Sequence, residues 1–274
     1  MVLIGKILWQ FFRSMSAYLA RIDIFPIKSL DGVSLTQVAV LASGALQGDR
    51  GYALFDRHHR FINGKRNAAV HSLRSRFEPP GQVVHCSHPG QSEDTCFDLE
   101  ADQEALETWL TAYFQEPVTI QENPQQGFPD DTQAVGPTVI STATLEQVAS
   151  WYGDLSLADL RRRFRTNLEI GGVPPFWEDQ CFSSDSQPVR FRIGEVVLEG
   201  VNPCQRCIVP TRNPDTGVPR QDFQATFVSQ RVASLPPWAP RSRFNHFYRL
   251  AVNSNIRGQA GKTLRVGDRV TIGD

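Results

Sequence analysis

Cys204-Gln-Arg-Cys207 places two thiols and a guanidinium within four residues, and the turn-forming run Asn213-Pro-Asp-Thr-Gly217 follows closely. A thiolate is a nucleophile and a soft metal ligand. The guanidinium of Arg206 adds a planar fork of donors suited to a carboxylate or phosphate. The segment can therefore hold something soft beside something anionic. Three familiar chemistries fit it poorly. A closed zinc site needs about four ligands, usually from two such pairs, and the chain has no second Cys-x-x-Cys. A thioredoxin-type pair opens a helix, but Pro210 and Pro214 follow too soon for one. The cysteine spacing of plant ferredoxins is missing. Two readings remain: one thiolate acting on a metal or substrate beside Arg206, or an inert pair of half-buried cysteines in a loop.

Other segments supply cationic partners. Pro26-Ile-Lys28-Ser29 puts an ammonium and a hydroxyl just past an expected strand. Gly48-Asp-Arg50-Gly51 puts a guanidinium in a glycine-bounded turn, where backbone N–H groups are also open to an anion. Arg161-Arg-Arg-Phe-Arg165-Thr-Asn167 is a dense basic run that reads as leading into a strand. In that reading Arg161–Arg163 form a solvated face, and Arg165 and Asn167 alternate onto one face as an anion-binding pair. The chain has 24 arginines against 4 lysines, a balance suited to bidentate contacts or set simply by genomic composition. His85, Cys86 and His88, with Cys96 ten residues past Cys86, form a weaker metal candidate, and His58-His59 reads as a hairpin tip.

The rest of the sequence says what must position these groups. Regions Arg21–Phe25, Val33–Leu41, Gly51–Phe55, Arg60–Asn63, Asn167–Ile170, Val189–Ile193, Val196–Val201, Phe247–Val252 and Leu264–Ile272 read as strands. Residues 101–114 and 142–151 carry helical periodicity, and Ser156 with Asp159 suits a capping box. Gly194-Glu195 and Gly267-Asp268 both suit tight hairpin turns. Residues 121–137 hold three prolines and two glycines and read as a linker. Many short strands and few helices predict a β-rich α+β fold with barrel-like parts.

At 274 residues, 41% hydrophobic and 21% charged, the composition is that of an ordinary globular protein. A net charge of -1 argues against general nucleic-acid binding. Five cysteines, an odd number, point to reduced thiols and a cytoplasmic setting. No stretch is long and apolar enough for an ordinary membrane span. The apolar start, residues 1–12, reads as an interfacial anchor or, preferably, as an upstream extension before a start at Met15.

In the order of these motifs the chain resembles the MOSC family, the molybdenum cofactor sulfurase C-terminal domain. It is most similar to the two-part members of the amidoxime-reducing component type. The resemblance rests on Phe25-Pro-Ile-Lys-Ser29, Asp49-Arg50, Ile140-Ser-Thr-Ala-Thr-Leu145, Arg163-Phe-Arg-Thr-Asn-Leu168, Cys204-Gln-Arg-Cys207 with Pro214-Asp-Thr-Gly217, and the pair Ile193-Gly-Glu-Val196 and Val266-Gly-Asp268. It implies an N-terminal MOSC-associated β-barrel-like domain over 18–130, a MOSC β-barrel domain over 131–274, and an extension over 1–17. It implies a molybdenum cofactor (molybdopterin with Mo) with Cys207 as the metal ligand. Lys28, Ser29, Arg50, Arg165, Asn167 and Arg206 match the family's cofactor contacts, as do Ser141 and Thr142. The implied activity is reduction of small N-hydroxylated substrates by oxygen-atom transfer, with electrons from a separate donor protein. Asp215 is the expected proton relay, or else an Asx-turn residue. The alternative is a non-catalytic carrier of the cofactor or of sulfur. Two departures stand out. Arg165-Thr166-Asn167 replaces the family's frequent Arg-Pro-Asn, and Glu178-Asp179-Gln180-Cys181 stands where relatives often have Asp-x-Trp.

Overall fold

A computed structural model describes residues 16–273; the apolar start and the proposed start at Met15 lie outside them. Strand exceeds helix, 31% against 21%, so the fold is β-rich as expected. An eight-stranded sheet forms its spine. Its strands are β1 (Tyr18–Ile24), β2 (Val33–Leu35), β9 (Val139–Ser141), β10 (Leu168–Gly171), β11 (Val189–Ile193), β12 (Val196–Gln205), β13 (Arg249–Asn255) and β15 (Val270–Ile272). Their order is β15-β11-β12-β13-β9-β10-β1-β2. The first strands of the chain thus share a sheet with the last.

Within this sheet only β9 and β10 run parallel. A parallel pair needs a crossover, and helices α3 (Thr142–Ala149) and α4 (Leu157–Phe164) provide it. The Ser156–Asp159 capping box is present and fixes where α4 begins. Leu160 and Phe164, four residues apart, bury one face of α4. They pack in a second apolar cluster with Tyr152, Phe223, Phe227 and Tyr248, partly on α5 (Phe223–Ala233). The larger cluster lies against the main sheet and the smaller strand sets. Those sets pair β4 (Tyr52–Asp56) with β8 (Val118–Glu122), β3 (Gln37–Ala39) with β14 (Thr263–Arg265), and β5 (Arg74–Glu78) with β6 (Val83–Ser87) and β7 (Thr95–Asp98). Helices α1 (Ala69–Ser72) and α2 (Gln103–Phe114) complete the described elements.

Several local expectations need correction. The basic run at 161–163 is the last turn of α4 and does not feed a strand directly. Arg165 is the helix's C-cap in the left-handed region, with φ 52°, so it does not alternate with Asn167 along a strand. The stretch Val33–Leu41 splits into β2 and β3, which join different sheets. Gly194-Glu195 makes a hairpin, with Ile193 opposite Val196. Gly267-Asp268 does not: β14 pairs with β3 and β15 with β11, so this turn carries the chain between sheets. Residues 60–63 contribute only an isolated bridge from Phe61 to Phe55. The supposed linker is tied down. The Phe128 N–H donates to Arg50 O at 2.8 Å, and its carbonyl accepts from Lys28 Nζ at 2.8 Å.

Candidate functional site

A cavity of about 1280 Å³ opens between N-terminal and C-terminal parts of the chain. Lys28, Ser29, Arg50, Lys65 and Arg74 from the N-terminal part line it together with Arg162–Arg165, Asn167, Cys204–Cys207 and Arg249 from the C-terminal part. Ten lysines and arginines line it against four aspartates, so it is built for an anion.

Local folding explains how the cations converge. Past β1 the chain is laced to the loop before β4: Arg50 N–H donates to Phe25 O, Tyr52 N–H to Pro26 O, and Lys28 N–H to Tyr52 O. The Phe25 N–H donates to Asp49 Oδ1 at 2.9 Å. The Phe25 ring then receives two guanidinium groups, Arg165 at 4.1 Å and Arg50 at 5.1 Å. Ser29, Arg50 and Arg165 all hold positive φ, at 77°, 51° and 52°. Non-glycine residues in this region are uncommon and gather at functional sites; here three line one cavity.

The cations differ in how they are compensated. Lys28 donates to Asp130 at 2.9 Å; burial lowers its pKa, and Asp130 only partly offsets this. Burial opposes charge on Arg50 too, but Asp49 and Asp130 outweigh it and raise its pKa. Arg165 has no carboxylate at ion-pair distance among the described residues. Burial first, and Arg50 second, push its pKa down to about 10. Its Nη2 is buried with no hydrogen-bond partner. Arg206 donates through Nη1 to Cys204 Sγ at 3.3 Å and through Nη2 to Phe164 O, and its Nε is also buried without a partner. Buried donors left unpaired cost stability; those of Arg165 and Arg206 belong to side chains that line the cavity, whereas Arg231, whose Nε and Nη1 are unpaired too, does not line it.

Cys204 lies one residue before the end of β12, and Cys207 follows in a loop before a short 3-10 turn at Val209–Thr211. The pair therefore does not open an α-helix, and Arg206 distinguishes the two thiols by bonding Cys204. Arg163 holds the loop, donating from Nη1 to Pro210 O at 2.9 Å and also to Arg212 O. Gly217 ends the turn with φ 72°, and a Cβ there would lie 2.8 Å from Ala68 O; the glycine is required.

Lys28, Ser29, Arg50, Arg165, Asn167, Arg206 and Cys207 all line the cavity. Asn167 does so while its side chain serves the fold: Oδ1 accepts from Thr138 N and Oγ1, and Nδ2 donates to Asp23 O. Ser141 and Thr142 lie elsewhere. Ser141 caps α3 and donates its N–H to buried Glu178, and Thr142 Oγ1 donates to Glu169 at 2.8 Å. Asp215 is exposed beside the cavity and accepts from Arg162 at 2.8 Å. That hydrogen bond holds its carboxyl below the ordinary range. The Asx turn belongs to Asn213, whose Oδ1 accepts from Asp215 N at 2.8 Å.

Sequence reading missed Asp130, Arg74, Lys65 and Arg249. Asp130 sat in the segment read as a linker, and only its paired acidic neighbour Asp131 hinted at a role. No cluster of three or more His, Cys, Asp or Glu able to hold a metal occurs among the described residues. The His85 group is no exception. His85 bonds Glu78 at 2.7 Å across β5–β6, and Cys86 is buried in the core, its thiol pushed up to about 12 by burial. A metal near Cys207 would thus need ligands brought by a non-protein group. Unpaired arginine donors beside a free thiol fit an anionic, sulfur-bearing cofactor.

Family models agree with this geometry. The MOSC N-terminal beta barrel domain matches residues 16–154 and the MOSC domain matches residues 132–271. The chain belongs to the MOSC family, with an N-terminal MOSC β-barrel domain followed by a MOSC domain. MOSC domains are generally molybdenum-cofactor-binding domains. No match emerges among curated proteins. Among solved structures, the YUAD protein from Bacillus subtilis is 11% identical, over 93% of this chain and 94% of that one, with a TM-score of 0.39. A hypothetical protein is 8% identical, over 96% and 70%, with a TM-score of 0.40. Among the described residues no helix is long and apolar enough to cross a membrane.

Proposed function

We propose that this chain binds a molybdenum cofactor and reduces small N-hydroxylated compounds, such as amidoximes and hydroxylamines, by oxygen-atom transfer. The observation that supports this most is the unpaired Arg165 guanidinium in the cavity that also holds Cys207. When bound, the cofactor would supply a metal centre that accepts the substrate's oxygen and takes electrons from a separate donor protein. Cys207 would ligate the metal through its thiolate. Lys28, Arg50, Arg165 and Arg206 would neutralise the cofactor's anionic groups, with Ser29 donating a hydroxyl.

Other residues set this site in place. Asp49 and Asp130 hold Arg50 and Lys28, and Asn167 fixes the strand that follows Arg165. Asp215, bound by Arg162 and kept ionised, serves better as an anchor for the loop after Cys207 than as a proton carrier.

The test is reconstitution with cofactor, a reduced dye and benzamidoxime. Dye oxidation matched by benzamidine formation supports the reading. Molybdenum-loaded protein that passes cofactor to an acceptor without turnover would make it a carrier instead.

A further inference from the structure

Of the cavity's four aspartates, Asp131 accepts from Asn253 Nδ2 at 3.1 Å, and the other three form ion pairs. Asp130, Asp49 and Asp31 pair with Lys28, Arg50 and Arg74. Arg243 and Arg249 also line the cavity and have no carboxylate at ion-pair distance among the described residues. Arg243 has a structural explanation: its terminal nitrogens donate to Ser183 O and Val201 O at 2.7 and 3.0 Å, bracketing β12.

Arg249 is held differently. It faces Gln205 in the β12–β13 register and donates from Nη1 to Pro203 O at 2.7 Å, so it flanks Cys204. Nε and Nη2 both donate to Asn245 Oδ1, at 3.2 and 2.8 Å. By valence, one N–H on each terminal nitrogen remains. Those remaining donors can serve the oxygens of a carboxylate or phosphate. The neutral Asn245 orients the fork without cancelling its charge. Burial lowers the pKa of Arg249, as for a cation lacking a counter-ion.

We propose that Arg249 binds an anionic group on the substrate, so that the preferred N-hydroxylated compound carries a carboxylate or phosphate besides its N–OH. This rests on the reductase reading for the chemistry, while the binding itself is independent of turnover. Of the cations assigned to the cofactor, Lys28, Arg50 and Arg165 come from other segments, and the neighbouring Arg206 already spends Nη1 on Cys204 Sγ and Nη2 on Phe164 O, which leaves Arg249 for a second anion.

Molybdenum-loaded protein is assayed with benzamidoxime, 4-carboxybenzamidoxime and its phosphonate counterpart. Binding of the same three is measured by calorimetry without reductant. We expect an anionic compound to be favoured about tenfold over the neutral one in kcat/KM and in Kd, as one charged hydrogen-bonding pair would give; the favoured anion identifies the source. In Arg249→Gln the ratio falls to near one, and Asn245→Ala, which frees the guanidinium without removing it, lowers it part-way. No preference in the wild type, a preference surviving Arg249→Gln, or loss of molybdenum from Arg249→Gln would each overturn the proposal. If no compound is turned over yet calorimetry keeps the Arg249-dependent preference, the reductase reading fails and the anion site stands.

Discussion

Two arginines in this protein, one buried and one half-buried, have opposite surroundings. Arg231 on α5 is 1% exposed and pairs with Asp179, itself 4% exposed. The rings of Phe176 and Phe244 cover it, at 4.2 and 5.0 Å from the guanidinium carbon. Arg165 also stacks on a ring, that of Phe25, but faces an open cavity and meets no carboxylate. One charge is answered by a carboxylate within the chain, although Arg231 Nε and Nη1 have no hydrogen-bond partner; the other lines a cavity with no carboxylate at ion-pair distance among the described residues. Breaking a buried pair leaves an uncompensated ion, whereas removing an unanswered charge relieves one. The contrast separates arginines that serve the fold from arginines that serve a ligand.

The largest effect should come from Arg231→Met, which strands Asp179. It should lower unfolding free energy by about 3–5 kcal/mol, read from urea denaturation. Arg165→Met should behave in the opposite way. The unloaded protein should keep or gain stability, while its affinity for the cofactor falls at least about tenfold. If Arg165→Met were as damaging to the unloaded fold as Arg231→Met, the distinction would be lost.

Glu178 gives a pH-dependent version of the same comparison. Its Oε2 accepts from Ser141 N and Thr144 Oγ1, and Oε1 has no partner. Burial first, then neighbouring Asp179, raises its pKa from 4.5 to about 7. The folded state therefore holds a proton that the unfolded chain has lost between these values. Stability from this group is fully present below about pH 4.5, declines as pH rises toward 7, and levels off above. The total decline is of order 3 kcal/mol, and Glu178→Gln should flatten it. An unchanged slope in that variant would place the titration elsewhere. Asp215→Asn should do least, about 0.5 kcal/mol or less, because its ion pair is exposed. A collapsed pH–rate profile in Asp215→Asn would restore it as a proton relay.

How much was legible in advance depended on whether a residue's role was local. The capping box at Ser156 and the helix expected over residues 101–114 follow from short-range pattern; both are present, the helix as Gln103–Phe114. The cation cluster was legible as residue types in motifs. Its convergence was not, since Arg50 and Arg165 meet over the Phe25 ring and Lys28 lies over the ring of Phe61, contacts between distant segments. Arg165 was read as a strand residue because alternation from Phe164 to Leu168 resembles a strand; the capped helix overrides it and leaves a left-handed C-cap. Asp130 was hidden because proline-rich composition marks irregular backbone and carries no sign of burial or contact. Arg249 looked like the ordinary start of a strand. Its importance comes from a partner 46 residues away, the Pro203 carbonyl.

The central claim is that the thiol of Cys207, among unanswered cations, holds a molybdenum centre. The most direct measurement is metal content by plasma mass spectrometry of protein made in a host that synthesises the cofactor, with Cys207→Ala and Cys204→Ala alongside. The account predicts stoichiometric molybdenum in the wild type, its loss from Cys207→Ala, and its retention in Cys204→Ala. Molybdenum retained without Cys207, or zinc in its place, would contradict it.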